Sequence, residues 1–163
     1  MAETGNEPQA APAAAAQPNL SVVTQYVKDL SFENPAAPGS LRARTGQPTI
    51  NIAIGVQSNP LGNNEYEVEL KIDARAVDGQ AVLFATELVY AGVFRFTNIS
   101  AENARPIALI ECPRLLFPFA RQIIADASRN GGFPPLLIDP VDFVAMYRQQ
   151  MAAAAPPPGA ATN

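Results

Sequence analysis

The first half of the chain alternates between apolar and polar positions. In residues 66–76, YEVELKIDARA, the even-numbered positions are apolar or small and the odd-numbered positions are charged. Residues 20–33 and 50–57 alternate in a similar way. A period of two is that of a strand with one buried face. The pattern therefore predicts strands over 20–33 and 50–57 and a pair of strands within 65–96, which we expect to be antiparallel.

Turn residues separate these strands. NPAAPGS breaks the chain after the first strand, and SNPLGNN turns it after the second. Asp78-Gly79 lies between the third and fourth strands, and a two-residue turn of this composition is a strong hairpin signal. We expect a type I′ turn there, because Asp-Gly suits its two positive φ angles.

The second half of the chain has a helical period. Apolar residues recur at helical spacing from Leu116 to Ala127, and Gly131-Gly132 marks the end of that helix. A shorter helix is expected over 101–111, and a final helix is expected to start with Asp139 as N-cap and Pro140 at its first position. Strands followed by helices predict an α+β domain with a four-stranded antiparallel sheet and C-terminal helices packed on one face.

The two ends of the chain differ from its middle in composition. Residues 1–18 and 152–163 are rich in Ala and Pro and have almost no large apolar side chains. Such segments cannot offset their ordering entropy by burial, so we expect disordered tails around a domain over 19–151.

The strand over 81–96 is apolar on both faces. Leu83, Val89 and Val93 lie opposite the face that the helices would cover. A second copy of the chain is the favoured cover, because large exposed apolar patches mark association surfaces. The alternative is that residues 17–33 fold over part of this face.

Composition argues against several classes of function. The 163 residues have a formal net charge of −4, which disfavours nucleic-acid binding. The chain has no His and one Cys, and its carboxylates and serines form no catalytic arrangement. We expect no enzyme activity, no metal and no cofactor. No apolar run approaches the ~20 residues of a membrane span, and the N-terminus does not resemble a signal peptide, so we expect a cytoplasmic protein.

Two surface features qualify as candidate binding sites. Asp29 and Glu33 lie on the polar side of the first strand, and Glu87 joins them if the fourth strand is its neighbour. These acids form either a dock for a basic partner or an ordinary solvated face. The second feature is the apolar loop GGFPPLLIDP, which either packs on the core or forms a wall of an apolar groove. The groove would comprise Ile50, Ile52, Ile54, Phe133, Leu136 and Leu137.

Several motifs, in this order, resemble those of the SecB family of bacterial export chaperones. They are YVKDLSFENPAAP, YEVELKIDARA, GVF, CPRLLFPFAR and GGFPPLLIDPVDF, which span about Leu20 to Met151. The resemblance implies an ATP-independent holdase that binds unfolded secretory preproteins, keeps them translocation-competent and delivers them to the motor SecA. It also implies a homotetramer built as a dimer of dimers, with no direct insertion into the membrane.

The resemblance assigns roles to particular residues. Ile50, Ile52, Ile54 and the loop over 133–138 would form the client groove, and Asp29, Glu33 and Glu87 the SecA-binding face. The implied oligomer interface comprises Phe84, Thr86, Tyr90, Phe119 and Ile123. The chain departs from the family at Gly46, where a large aromatic residue is usual before Gln47-Pro48, and in its uncharged Ala/Pro-rich C-terminal tail.

Two other functions remain open from the sequence. A curved sheet with a helical lid is also the architecture of a carrier for small apolar ligands. A SecB-like chaperone dedicated to a toxin–antitoxin partner would have the same motifs.

Overall fold

The computed structural model describes residues 16–44 and 46–154, so most of each predicted disordered tail lies outside the described residues. The described part contains four strands and two α-helices, with a short 3-10 turn after the first strand. The strands are β1 Asn19–Glu33, β2 Thr49–Gly62, β3 Glu65–Asp78 and β4 Ala81–Thr97. The helices are α1 Ala101–Asn130 and α2 Phe143–Ala154.

The strands form one antiparallel sheet in the order β1-β4-β3-β2. β1 and β2 are therefore its edges, and β4 lies beside β1. The predicted α+β fold, with its antiparallel sheet and C-terminal helices, is confirmed. We call the sheet face that packs against α1 the inner face and the opposite one the outer face.

The two tight hairpins differ in turn type. Asn63 and Asn64, between β2 and β3, both have a positive φ, of 52° and 60°, as a type I′ turn requires. Between β3 and β4 the loop is Gly79-Gln80, and only Gly79 has a positive φ, of 59°. That sign pattern belongs to a type II′ turn. The hairpin was predicted correctly, but the type I′ turn at Asp78-Gly79 was wrong.

Register shifts alter which side chains share a face. β1 has shifts between Val22 and Thr24 and between Val27 and Asp29, so its alternation does not run unbroken. Tyr26 consequently lies opposite Ala91 on the outer face rather than with Leu20 on the inner face. A third shift, next to Ala76, leaves Leu83 buried beside Phe84 instead of on the outer face.

α1 is one helix of 30 residues, where two separate helices were expected. It contains Pro106, Pro113 and Pro118, each of which removes a backbone hydrogen bond. Burial against the sheet outweighs this cost, since Leu116 and Ile124 on α1 are fully buried. α1 ends at Asn130, directly before the predicted Gly131-Gly132 stop.

α2 begins at Phe143, three residues later than expected. Asp142, not Asp139, lies immediately before the helix, and its Oδ1 accepts a hydrogen bond from the amide of Ala145 at 2.9 Å. Residues 134–142 form no regular secondary structure, and Ile138 among them is buried in the core.

The core lies between the inner face of the sheet and α1. β3 contributes Val68, Leu70 and Ile72, and β4 contributes Leu88 and Phe94. On α1, Cys112 is fully buried and burial raises the pKa of its thiol to about 12. A buried thiol with a raised pKa is unreactive, so Cys112 is a structural residue of the core.

The outer face of β4 is covered largely from within the chain. Ala91 is fully buried, and Val89 and Val93 are partly buried. Their cross-strand neighbours on β1 and β3 are polar or charged, and Tyr26 lies directly opposite Ala91. β1 lies beside β4 in the sheet and does not fold over this face, so the side chains of the neighbouring strands shield it only in part, and its cover by a second copy of the chain stays a prediction.

The end of α1 packs tightly against β1. A Cβ at Gly131 would clash with the ring of Phe32. We predict that Gly131→Ala destabilises the fold by about 1–3 kcal/mol, because overpacking forces the ring to move. Gly55→Ala is the matched control, since a Cβ at Gly55 meets nothing within 4 Å. Thermal unfolding of both variants checks this, and equal midpoints would contradict the packing.

Candidate functional sites

The first candidate site is a groove at one end of β2, with a volume of about 450 Å³. Its floor is formed by Ile50, Ala76, Leu83 and Phe84, all from the sheet. Its walls come from residues 40–44, residues 46–48 and the loop over 132–136. Most of these side chains are apolar, so the groove suits an apolar side chain of a ligand.

Only some of the predicted groove residues share this cavity. Ile50, Phe133 and Leu136 line it. Ile52 continues along β2 on the same face and, like Ile50, is 39% exposed, whereas Ile54 packs partly against the core. Leu137 is 73% exposed and lies outside the cavity lining.

The predicted apolar loop is both core and groove wall. The rings of Phe133 and Phe84 pack at a tilted angle with centroids 4.9 Å apart, and the ring of Phe32 stacks on Phe84 with centroids 5.5 Å apart. Leu136 donates its amide to Ser128 Oγ at 2.8 Å, which fixes the loop to the end of α1. The groove therefore has a rigid wall, as a preformed binding site needs.

A second cavity of about 560 Å³ lies at the other end of β2, beside the start of α1. Val56, Tyr66 and Leu109 supply its apolar part, and Arg105 and Gln150 its polar part. Sequence reasoning missed this cavity, because only the antiparallel pairing of β2 with β3 and the position of α1 bring these residues together. The segment of β2 from Ile50 to Pro60 is roughly 33 Å long, given the rise per residue of a β-strand. The two cavities thus lie along one extended path.

The second candidate site is acidic and lies on the outer face. Ser31 of β1 is opposite Glu87 of β4, so Glu87 is level with the interval between Asp29 and Glu33. These three predicted acids are therefore on the same face and close together. Asp73 of β3 is directly opposite Glu87 on its other side and adds a fourth carboxylate.

Asp73 was missed because its position depends on the register shift in the β3–β4 hairpin. Without that shift Asp73 would pair with Thr86 and Glu87 would lie on the inner face. The alternation of β3 predicts that Asp73 lies on the polar face, but it does not show which residue of β4 is paired with Asp73.

The remaining outer charges are mostly paired. Lys28 Nζ lies 3.0 Å from Glu67 Oε1 and 2.5 Å from Glu69 Oε1. Tyr26 donates its hydroxyl to Glu67 at 2.5 Å, and Arg95 lies 2.6 Å from Glu65. The acids at the Glu87 end lack such close basic partners, apart from Lys71 at 3.8 Å from Asp73. That end of the face is therefore the more negative one.

The residues assigned to an oligomer interface fall into two groups. Phe84, Thr86 and Tyr90 are buried within the chain on the inner face. Phe119 is 53% exposed on α1 and stacks on Tyr90 with centroids 6.4 Å apart, and Ile123 is partly buried. Only Phe119 and Ile123 are exposed enough to contact a second chain, and Tyr90 packs beneath Phe119.

Among residues 16–44 and 46–154, no helix is both long and apolar enough to cross a bilayer. The same residues contain no cluster of three or more His, Cys, Asp or Glu side chains suited to hold a metal ion.

Comparison with known proteins gives consistent matches. Residues 13–154 match the family described as SecB, preprotein translocase subunit SecB. The chain is 65% identical to the protein-export protein SecB of Xanthobacter autotrophicus over 136 residues, covering 83% of this chain and 87% of that protein. It is 61% identical to the protein of the same name from Rhodopseudomonas palustris strain BisB5, covering 87% and 90%.

The fold is also similar to a solved structure. This is the SecB-like chaperone of Mycobacterium tuberculosis in complex with a peptide from an antitoxin, with a TM-score of 0.58 and 15% sequence identity. The match covers 75% of this chain and 90% of that chain. At this identity the likeness concerns the fold alone.

The pKa of Glu67 provides a test of the contacts that Tyr26 and Lys28 make with Glu67 on the outer face. The hydroxyl of Tyr26, and then Lys28, hold this pKa below its ordinary value of 4.5. The ionised carboxylate thus stabilises the fold above pH 4.5, and this contribution is lost as the pH falls through the lowered pKa. We predict that Tyr26→Phe moves the pKa of Glu67 up toward 4.5, so the carboxylate contributes less stability and that contribution is fully lost at a higher pH than in the wild type.

A carboxyl NMR titration of the variant and the wild type measures this shift. Tyr147→Phe, on α2, is the control and leaves the titration of Glu67 unchanged. A Glu67 pKa that is identical in wild type and Tyr26→Phe would show that the hydroxyl does not stabilise the carboxylate.

Proposed function

The chain belongs to the SecB family of protein-export chaperones, and we propose that it holds unfolded preproteins in an extended form, without ATP, and delivers them to the motor SecA. The observation that carries this proposal is the apolar path along β2. An edge strand with a cavity at each end suits an extended polypeptide better than a compact ligand. Holding an unfolded client and passing it to a partner protein requires no catalytic group and no nucleotide.

The binding energy would come from apolar burial. Each square ångström of apolar surface removed from water stabilises the complex by roughly 25 cal/mol, before the ordering cost of the client is subtracted. Apolar contacts are non-directional, so many client sequences would bind. Ile50 and Ile52 are exposed and on one face, which supports their role as contacts for such clients.

The acidic end of the outer face is the proposed SecA contact. Asp29, Glu33 and Glu87 are brought together by the pairing of β1 with β4. Clustered carboxylates steer and orient a basic partner surface. The client groove opens on the inner face, so one chain would engage SecA and a client at the same time.

We also propose a cytoplasmic homotetramer. The inner-face side of β1 exposes Val22, Val27 and Leu30, each between 42% and 45%, and α1 exposes Phe119. Apolar side chains exposed along an edge strand and a helix favour association with further copies of the chain. The interface would then include Phe119 and Ile123, with Phe84, Thr86 and Tyr90 beneath them.

The two rival functions receive less support. A carrier for small ligands favours one enclosed pocket, whereas the cavities along β2 are separate and open to solvent. A chaperone dedicated to an antitoxin shares the fold, but the relatives at about 60% identity are named protein-export proteins.

We predict that Ile50→Asp combined with Ile52→Asp weakens binding of an unfolded precursor polypeptide about tenfold or more, because two apolar contacts are replaced by carboxylates. Ile54 is left intact since it packs on the core. The control is Asn51→Asp with Ala53→Asp, which places the same side chains on the opposite face of the same strand.

Native mass spectrometry with and without the precursor, in the absence of nucleotide, gives the readout. Wild type is expected to be a tetramer that gains a bound chain, and the Ile variant a tetramer that does not. A wild-type protein that ignores the unfolded chain would overturn the holdase, and an Ile variant that binds normally would overturn the groove assignment.

The proposed SecA contact predicts variants that lose SecA binding and keep client binding. Asp29→Lys combined with Glu87→Lys should weaken SecA binding, most strongly at low salt where exposed charges are least screened, and leave precursor binding unchanged. Glu102→Lys with Asp139→Lys makes the same change in net charge elsewhere on the surface. Surface plasmon resonance measures the affinity of each variant for SecA. If this affinity falls equally in both variants, the assignment of the SecA contact to this face is wrong.

A further inference from the structure

We propose that a cavity on the outer face, which we call the outer cavity, holds one lysine or arginine side chain of SecA between Asp73 and Glu87. The cavity has a volume of about 390 Å³, and its lining comes from β2, β3 and β4. The inference rests on the proposed SecA contact. It extends that contact across the sheet, from the acids of β1 and β4 to β3 and the edge strand β2.

Two alanines make the surface of the sheet concave at this point. Ala53 of β2 lies directly opposite Asp73. Ala85 of β4 lies directly opposite Arg75. Both alanines line the cavity together with the longer side chains of Asp73, Arg75 and Glu87. A methyl floor with a charged rim suits a basic residue, whose carbon stem packs on apolar surface while its charged group stays at the rim.

Asp73 and Glu87 form a directly opposed pair of like charges. They are cross-strand partners on β3 and β4, and like charges in such positions destabilise a sheet. Glu87 forms no ion pair with any residue of 16–44 or 46–154. Asp73 Oδ2 lies 3.8 Å from Lys71 Nζ, which is longer than a hydrogen bond. A cation bound between the two carboxylates would offset their repulsion.

Asp73 also has unused capacity to accept hydrogen bonds. Its side chain is 41% exposed, but its Oδ1 is shielded from solvent and accepts no hydrogen bond from the described part of the chain. Shielded polar atoms are nearly always hydrogen-bonded, so this acceptor is explained by a donor that the chain itself does not supply. Glu67 and Glu69, on the same face of β3, both accept hydrogen bonds from Lys28 instead. The free acceptor of this strand is therefore at the outer cavity.

The surrounding charges limit where a cation can bind. Among the described residues that line the cavity, Arg75 is the only basic one, and it lies one cross-strand position beyond the Asp73–Glu87 pair. On the other side, β1 places Asp29 and Glu33 on either side of the position opposite Glu87. A cation is therefore favoured beside Glu87 and disfavoured beside Arg75.

The first experiment tests the shape of the cavity by surface plasmon resonance with purified SecA and the full chain. Ala53→Leu fills the floor without a change of charge, and Ala53 is exposed on an edge strand, so the fold should tolerate the substitution. We expect the affinity for SecA to fall about tenfold or more, as for loss of an anchor pocket. Gln57→Leu is the matched control, because it places the same side chain on the same face of β2 outside the cavity.

The second experiment tests the charge. Asp73→Asn should weaken SecA binding about two- to fivefold, the range of an exposed ion pair, with a smaller effect at high salt. Glu69→Gln removes the same charge from the same face of β3 outside the cavity and should have a smaller effect. The thermal midpoint of Asp73→Asn should not fall, because the repulsion with Glu87 is removed. A lower midpoint would give Asp73 a structural role and overturn the proposal.

The remaining outcomes separate the outer cavity from the SecA contact as a whole. If Ala53→Leu and Gln57→Leu bind SecA equally well, the cavity holds no side chain of SecA. If Asp73→Asn and Glu69→Gln lose affinity equally, the occupant is not a basic group beside Asp73. Either result overturns the proposal and leaves the contact through β1 and β4 standing. A wild-type chain that does not bind SecA overturns both.

Discussion

The packing of α1 on the inner face of the sheet determines which surfaces this chain leaves open. A helix with its side chains is about 10 Å wide, whereas four strands at about 4.8 Å spacing present roughly twice that width. α1 therefore buries the two central strands, including Leu70 and Leu88, and leaves part of the inner face of both edges uncovered. Along β2 the uncovered part becomes the groove and its path, and along β1 it is the exposed apolar side chains at Val22, Val27 and Leu30.

The two faces of the sheet are thereby separated in chemistry. The inner face presents apolar side chains at its edges, and the outer face presents carboxylates and their paired bases. Tyr26 and Lys28 extend from β1 toward β3 across the apolar middle of β4, so the outer face offers no large apolar patch there despite the composition of that strand. A client and a basic partner would therefore be recognised by different forces on opposite surfaces, which permits simultaneous binding.

Much of this arrangement was predictable from the sequence, because period and turn residues are local properties. The strands, the hairpins, the end of α1 and the groove residues Ile50, Phe133 and Leu136 follow from them. What could not be predicted depends on single register shifts: Tyr26 on the outer face, Leu83 in the core and Asp73 beside Glu87 all follow from one extra residue in a strand. Pairing across strands, not the pattern within one, decides these positions. The continuity of α1 through three prolines likewise depends on tertiary burial rather than on local propensity.

The balance of energies in the groove favours a binding site that is general for apolar side chains. Full burial of one large apolar side chain contributes about 1.5–3 kcal/mol, whereas an exposed ion pair such as one with Arg42 contributes about 0.2–1 kcal/mol. The apolar floor of Ile50, Leu83 and Phe84 would therefore dominate the affinity for the proposed clients, and unfolded chains with suitable apolar side chains would bind with little preference for sequence. A charge at the rim of the groove would be too weak to exclude a client by itself.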